Sequence, residues 1–456
     1  MIDRAERMGT EPIRPLLARF ALPVILSMVA GSLYNLADRI FVGRGVGQDA
    51  LAGVTVAFPL FILLYSIGLF FGLGAASVVS LSLGRRGNGT AERAAGNALV
   101  GSLVMSLVVI SVGSAFIDPL LRAFGGEGEV LRQARIFTRI FLAGSLFQII
   151  AIVLGSVVRG EGDPGTAVAA NLVGIGINII LNPLFIFGLR MGVAGSAIAT
   201  TIGEGVSCAW LFIHYARGAS LLHLHRDSLR PDLEVLKRIG AIGFSPFAFQ
   251  LALCLMMALS NRAVARYGGT EAIACMGIIY VIYPLILQTV SGIAAGAQPI
   301  LGYNFGAGAL ARVRQTLRIS ACAGTILCAA AWVFILAAAG RIVALFQPDA
   351  ATVALGGRAL RIFFCLLPLV GTQVIGSGYF QAVGKARVSF FNNLLRQLFL
   401  IVPLLLVLPL FMGLDGVWYA NPISDLGAAV ITGCFLAVEW KRLRREEVRR
   451  AGLRAG

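Results

Sequence analysis

Residues 16–42, LLARFALPVILSMVAGSLYNLADRIFV, carry one charge, Arg19, before the acid-base pair Asp38 and Arg39 near the end. A helix needs about 20 apolar residues to cross a bilayer core of about 30 Å, and this run exceeds that. It is also too long for the apolar region of a signal peptide and has no small-residue cleavage pattern, so it reads as an uncleaved first membrane helix. The same length requirement, carried along the chain, finds twelve spans, at 16–42, 51–83, 94–117, 136–158, 166–188, 192–215, 239–261, 272–301, 316–339, 359–383, 388–412 and 415–440. Several exceed the minimum, which implies tilt or extension beyond the bilayer. The predicted class is an all-α polytopic membrane protein.

Composition agrees. The 456 residues are 58% hydrophobic and 13% charged, with a mean hydropathy of +0.85, whereas a soluble domain carries about 45–50% apolar and about 25% charged residues. Disordered, collagenous and disulfide-framework classes are excluded by the hydrophobicity, the lack of a short repeat and the seven scattered cysteines, which form no CxxC pair. A net charge of +16 would suggest nucleic acid in a soluble protein, but here most basic residues sit in short connections, so no nucleic-acid partner is expected. One set of ends and connections holds 24 Lys and Arg and the other holds 12, with Arg19 and Arg396 read as helix-end residues. The positive-inside rule then places both termini and the basic connection in the cytoplasm of a multi-pass protein of the inner (plasma) membrane.

The opening run recurs. Pro23 falls on Pro246 at an offset of 223, and the same offset takes Asn35-Leu36-Ala37-Asp38-Arg39 onto Ala258-Leu259-Ser260-Asn261-Arg262. Further on, Leu83-Gly84 falls on Leu301-Gly302, Asn171 on Asn393, and Gly192-Val193 on Gly416-Val417 at an offset of 224. Six helices per half make the repeat parallel, with its pseudo-axis along the membrane normal. The expected organisation is a cytoplasmic segment at 1–15, a first six-helix bundle at 16–215, a cytoplasmic connection at 216–238, a second bundle at 239–440 and a basic cytoplasmic tail at 441–456. Two equivalent bundles leave a cleft, and rocking exposes it to alternate sides, which points to transport; the alternative is a duplication that merely enlarged a structural protein.

An ionisable group inside an apolar helix costs about 2.5–3.5 kcal/mol on insertion scales, so each one needs a partner, a wet cavity or a function. Three stand out: Asp38 toward the outer end of helix 1, Glu204 in helix 6 and Asp425 in helix 12. The first half has the carboxylate of Asp38 where the second half has the neutral Asn261. Asp38 reads either as an interfacial carboxylate paired with Arg39 or Arg44, or as a functional group with Tyr34 and Asn35 one turn away. Glu204 and Asp425 are read either as coupling groups, Asp425 for the second half, or as buried acids hydrogen-bonded across helices. Asn178 and Asn182 share one face of helix 5 at i, i+4 and suit either a cation and a cavity lining or interhelical hydrogen bonds. The three histidines, 214, 223 and 225, lie at the cytoplasmic end of helix 6 and in the connection, so no histidine relay crosses the membrane. No GxxxxGK[ST] loop occurs, so energy comes from an ion gradient or the substrate, and no cofactor is expected. The expected cavity is apolar and suits large hydrophobic cations. Its candidate lining, Tyr34, Asn35, Met256, Met257, Asn261, Tyr280 and Tyr283, is also ordinary core material.

Four motifs then stand together: Tyr34-Asn35-Leu36-Ala37-Asp38-Arg39 with Gly43; Arg159-Gly160-Glu161-Gly162-Asp163-Pro164; Asn178-Ile179-Ile180-Leu181-Asn182-Pro183; and Gln298-Pro299-Ile300-Leu301-Gly302-Tyr303-Asn304-Phe305-Gly306-Ala307-Gly308. In this order, from about Leu16 to Glu439, they resemble the multidrug and toxic compound extrusion (MATE) family. The resemblance implies a cation-coupled antiporter of two six-helix lobes in a V shape, exporting amphipathic, often cationic compounds. It makes Asp38 the proton- or sodium-binding carboxylate of the first lobe, with Asn178 and Thr200 beside it, and gives no other metal site. This chain has Asn182 where family members commonly have Asp, which puts sodium in doubt and favours protons. The acids that another branch carries in helices 7 and 10 are replaced by Gln250 and Cys254, and by Thr372 and Gln373. The expected particle is a monomer among membrane lipids with small amphipathic substrates. A lipid-linked saccharide flippase of the same superfamily would want a basic cavity, whereas the lone internal charge here is acidic. An intramembrane enzyme would need converging nucleophile-base or metal-ligand groups, which the sequence does not supply.

Overall fold

In a computed structural model of the chain, residues 4–346 and 349–455 are described, and among them every regular element is helical. After the short α1 (Arg4–Thr10), the opening run forms the middle of α2 (Ile13–Gly45), so the expected N-terminal segment is already partly helical. There follow α3 (Gln48–Gly84), α4 (Asn88–Ala115), α5 (Ile117–Ala123), α6 (Gly128–Gly160), α7 (Pro164–Pro183) and α8 (Val193–Ala216). The second half holds α9 (Leu233–Gly269), α10 (Glu271–Gly306), α11 (Leu310–Phe346), α12 (Ala350–Phe363), α13 (Leu367–Ala382), α14 (Ala386–Met412) and α15 (Leu414–Ala455).

Eleven of these helices are long and apolar enough to cross a membrane, and α12 with α13 makes a twelfth span bent by 46°. The bend corrects the expected straight helix at 359–383. Pro368 lies in the first turn of α13 and has no N–H to give the carbonyl of residue 364, so the helix ends at Phe363 and restarts. Other spans outrun their expected limits: α3 has 37 residues and is about 55 Å long at about 1.5 Å per residue. The tail also differs from a separate segment, because α15 continues unbroken to Ala455.

Backbone conformation repeats more regularly than sequence. Glycines with positive φ pair as Gly47 with Gly269, Gly162 with Gly384 and Gly192 with Gly413, at offsets of 222, 222 and 221. Gly192 (φ 62°, ψ −143°) and Gly413 (φ 57°, ψ −134°) share a conformation and immediately precede α8 and α15. The structural partner of Gly192 is therefore Gly413, which corrects the match to Gly416. A π-helical stretch, Leu184–Gly188, directly follows α7, and another, Leu395–Leu400, lies within α14.

The chain forms two compact units. One comprises Met1–Met8 and Leu26–Phe247, the other Gly9–Ile25 and Ala248–Gly456. In the first, α6 lies against α3 and α8, and α7 against α8. Small residues set the α3–α6 approach: a Cβ on Gly72 would lie 2.8 Å from Ser156 Oγ, and one on Gly160 would lie 2.9 Å from the carbonyl oxygen of Ala76. Residues 217–232 are strapped to the same unit. The Asn97 amide donates to the carbonyls of Ser228 and Arg230 and its oxygen accepts from the Asp232 N–H at 2.7 Å, while the buried Glu161 carboxylate accepts from Ser220 Oγ at 2.6 Å. In the second unit α11 packs on α12 and α13, and α14 on α15. The start of α2 belongs there, with Ala21 and Ile25 seated against Gly296 and Gly292 of α10.

Candidate functional site

Three helices of the first unit each present polar side chains one turn apart: Tyr34 and Asp38 on α2, Asn178 and Asn182 on α7, and Ser196, Thr200 and Glu204 on α8. Spacing of i, i+4 puts each set on one face, and the sets meet in layers. In the outer layer one carboxylate oxygen of Asp38 accepts from the Asn182 amide and from Ser196 Oγ at 2.7 Å. In the next, Asn178 donates to Thr200 Oγ1 at 3.0 Å and to the Tyr34 hydroxyl at 3.3 Å, and the Tyr34 and Thr200 hydroxyls share a contact of 3.2 Å. Glu204 is one further turn along α8, about 6 Å by helix rise, and has Gln148 of α6 beside it.

Asp38 is in no ion pair among the described residues, and the interfacial pairing does not form: the guanidinium of Arg39 lies over the Phe58 ring, 5.1 Å from its centroid. Asn182, Ser196, Asn178 and Thr200 are all buried, whereas Asp38, Tyr34 and Glu204 keep partial exposure. Because each amide turns its N–H toward the cluster's acceptors, Asn178 Oδ1 and Asn182 Oδ1 are left buried with no hydrogen-bond partner among the described residues. The Asp38 carboxylate, the three hydroxyls and the two amide oxygens are spread over two layers one helical turn apart, and all are hard oxygen atoms of the kind that a proton or a hard cation takes.

Ser196 was not legible as a site residue, although it lies one turn before Thr200. Arg396 was missed as well. It is a buried side chain of α14, not a helix-end residue: Nη1 donates to Asp425 Oδ1 at 3.2 Å, and Nη2 donates to the Tyr283 hydroxyl. The other oxygen of Asp425 accepts from Asn421 Nδ2 at 3.1 Å. Among the remaining expected lining residues, Tyr283 is therefore buried against a cation, and Met256 is buried with its sulfur accepting from Ser260 Oγ. Met257 and Tyr280 are half-buried; Asn261 is exposed, as is Asn35, whose amide donates to the Gly31 carbonyl. The seven cysteines are free, and no group of three or more metal-ligating side chains occurs among the described residues.

The sequence profile of the MatE family matches residues 23–184 and 246–407, two segments that open on Pro23 and Pro246. The chain is 24% identical over 414 residues to the multidrug export protein MepA of Staphylococcus aureus (strain N315), covering 91% of each. It is also similar to the crystal structure of a MATE protein in complex with MaL6, at 26% identity with a TM-score of 0.89, covering 96% of this chain and 99% of that one. A multidrug resistance MATE family transporter of the MOP superfamily in an outward-facing conformation matches with a TM-score of 0.90, 26% identity and the same coverage.

Proposed function

The chain belongs to the MatE family of multidrug efflux transporters, and from that premise we propose that it exports amphipathic, often cationic compounds in exchange for a cation bound at Asp38. A membrane transporter of this family is not an enzyme. The observation that carries the proposal is a carboxylate that is in no ion pair among the described residues and is held by Asn182 and Ser196. Charge-assisted hydrogen bonds hold an ionised carboxylate more strongly than a neutral one. A cation arriving at Asp38 therefore weakens its grip on α7 and α8, and alternating access couples that change to the release of substrate. The coupling group is Asp38 with Asn178, Asn182, Thr200 and Glu204.

The proton is the favoured cation, since Asn182 leaves the outer layer a single negative charge that one proton neutralises. Sodium is the second reading, and the two orphaned oxygens of Asn178 and Asn182 favour it. Substrate-driven ion movement in proteoliposomes separates them. Efflux lost when the proton gradient is collapsed in the presence of sodium supports protons; efflux that persists supports sodium. The basic connections further support an orientation with both termini in the cytoplasm, at the plasma membrane.

A further inference from the structure

The two six-helix halves of the chain place an acid at the same point of their sixth span, α8 and α15. Counted from the matched residues Gly192 and Gly413, Glu204 coincides with Asp425, and Thr200 with Asn421, at the offset of 221. Their surroundings are opposite. Asp425 accepts from Arg396 Nη1 at 3.2 Å and from Asn421 at 3.1 Å. Arg396 also donates to the Tyr283 hydroxyl and stands over the Tyr283 ring, 5.4 Å from its centroid, while its own carbonyl accepts from Ser424 Oγ at 2.9 Å. Arg396 and Asp425 side chains are 4% and 2% exposed.

In the first unit the offset of 222 set by Gly162 and Gly384 puts Gly174 at the position of Arg396. A Cβ there would lie 2.1 Å from Ser207 Oγ and 2.6 Å from the carbonyl oxygen of Gly203, so a guanidinium has no room. Glu204 is in no ion pair among the described residues.

We propose that Arg396 is a built-in counter-cation that keeps Asp425 a fixed carboxylate, so that the second unit takes no part in ion exchange and coupling is confined to Asp38 and Glu204 of the first. This rests on the ion-exchange reading above and assigns it to one unit. A guanidinium does not lose its proton in proteins, so the pair stays internally neutral throughout a transport cycle. The other titratable groups facing it are the Tyr283 hydroxyl on α10 and the thiols of Cys328 on α11 and Cys365 between α12 and α13. All three are neutral near pH 7 by their ordinary values.

Dicyclohexylcarbodiimide, which attacks protonated carboxyl groups in apolar surroundings, tests this on the unaltered protein, with modified peptides mapped by mass spectrometry between pH 5.5 and 8 (roughly spanning the reference acid and neutral range). Asp38 and Glu204 are expected to be modified, more so at low pH, and Asp425 to stay unmodified. Arg396→Met is expected to make Asp425 reactive, and Arg396→Lys to leave it protected. Arg396→Gln, which keeps a donor for Tyr283, replaces the Met variant if that variant does not accumulate. Modification of Asp425 in the unaltered protein overturns the proposal, as does an Asp425 that remains unreactive after the cation is removed. Absence of modification at Asp38 counts instead against the ion-exchange reading of the first unit.

Discussion

Asn182 donates its amide to Asp38 across 144 residues of sequence, and that bond joins helix α2 to helix α7 beside the Ser196 hydroxyl. The amide nitrogen engages the carboxylate while its oxygen has no partner among the described residues. A neutral side chain thus closes the layer around one negative charge and leaves an acceptor free.

Replacing that neutral partner should shift the preference toward sodium. Asn182→Asp puts a second carboxylate against Asp38 and should raise sodium affinity by about tenfold, or about 1.4 kcal/mol. Sodium-dependent stabilisation of the purified variant, compared with the unaltered protein by thermal unfolding, reads this directly. Equal sodium dependence in both contradicts it.

The Arg396–Asp425 pair should behave as a unit in stability. Removing one member leaves a buried charge without its partner, which costs about 3–5 kcal/mol. Asp425→Asn and Arg396→Met should therefore each unfold at clearly lower temperature, and the double variant should recover much of the loss. Additive losses in the double variant would show that the two side chains act independently.

Most of the fold was legible because membrane spans depend on length and hydropathy, which are local. The i, i+4 pairing of Asn178 with Asn182 and the isolation of Asp38 in an apolar run were legible for the same reason. Ser196 was not, since a serine in an apolar helix carries no signal until a partner from another helix reaches it. Arg396 was read as a helix end because hydropathy windows treat a charge as a boundary; only its pairing with Asp425, 29 residues on, makes it tolerable inside. The Gly192–Gly413 equivalence rests on backbone dihedrals, and the sequence offered Gly416 with a matching valine in its place. Nor does any local signal show that the start of α2 groups with the second unit.

Packing of α7 on α8 sets the inner layer. In Gly174→Ala the new methyl meets Ser207 Oγ and the Gly203 backbone, so the helices must separate, at about 1–3 kcal/mol for an overpacked core. Lower thermal stability together with reduced transport is expected, and an unchanged unfolding temperature would contradict this close approach.

Orientation is tested by accessibility. Ala219 is exposed in the connection after α8, and Ala219→Cys should react with a membrane-permeant thiol reagent in intact cells and be spared by an impermeant one. A tag after Gly456 should report the cytoplasm likewise. Labelling of the cysteine from outside would reverse the assigned topology.

The central claim is that Asp38 carries the coupling cation. Asp38→Asn keeps an acceptor for Asn182 and Ser196, so stability should change by no more than about 1 kcal/mol, the net worth of a hydrogen bond. The most direct measurement is substrate-driven ion movement in proteoliposomes that hold equal amounts of folded Asp38→Asn and unaltered protein. Flux in the variant is expected to fall to the level of protein-free vesicles. Coupled flux at the unaltered rate from the folded variant would contradict the account.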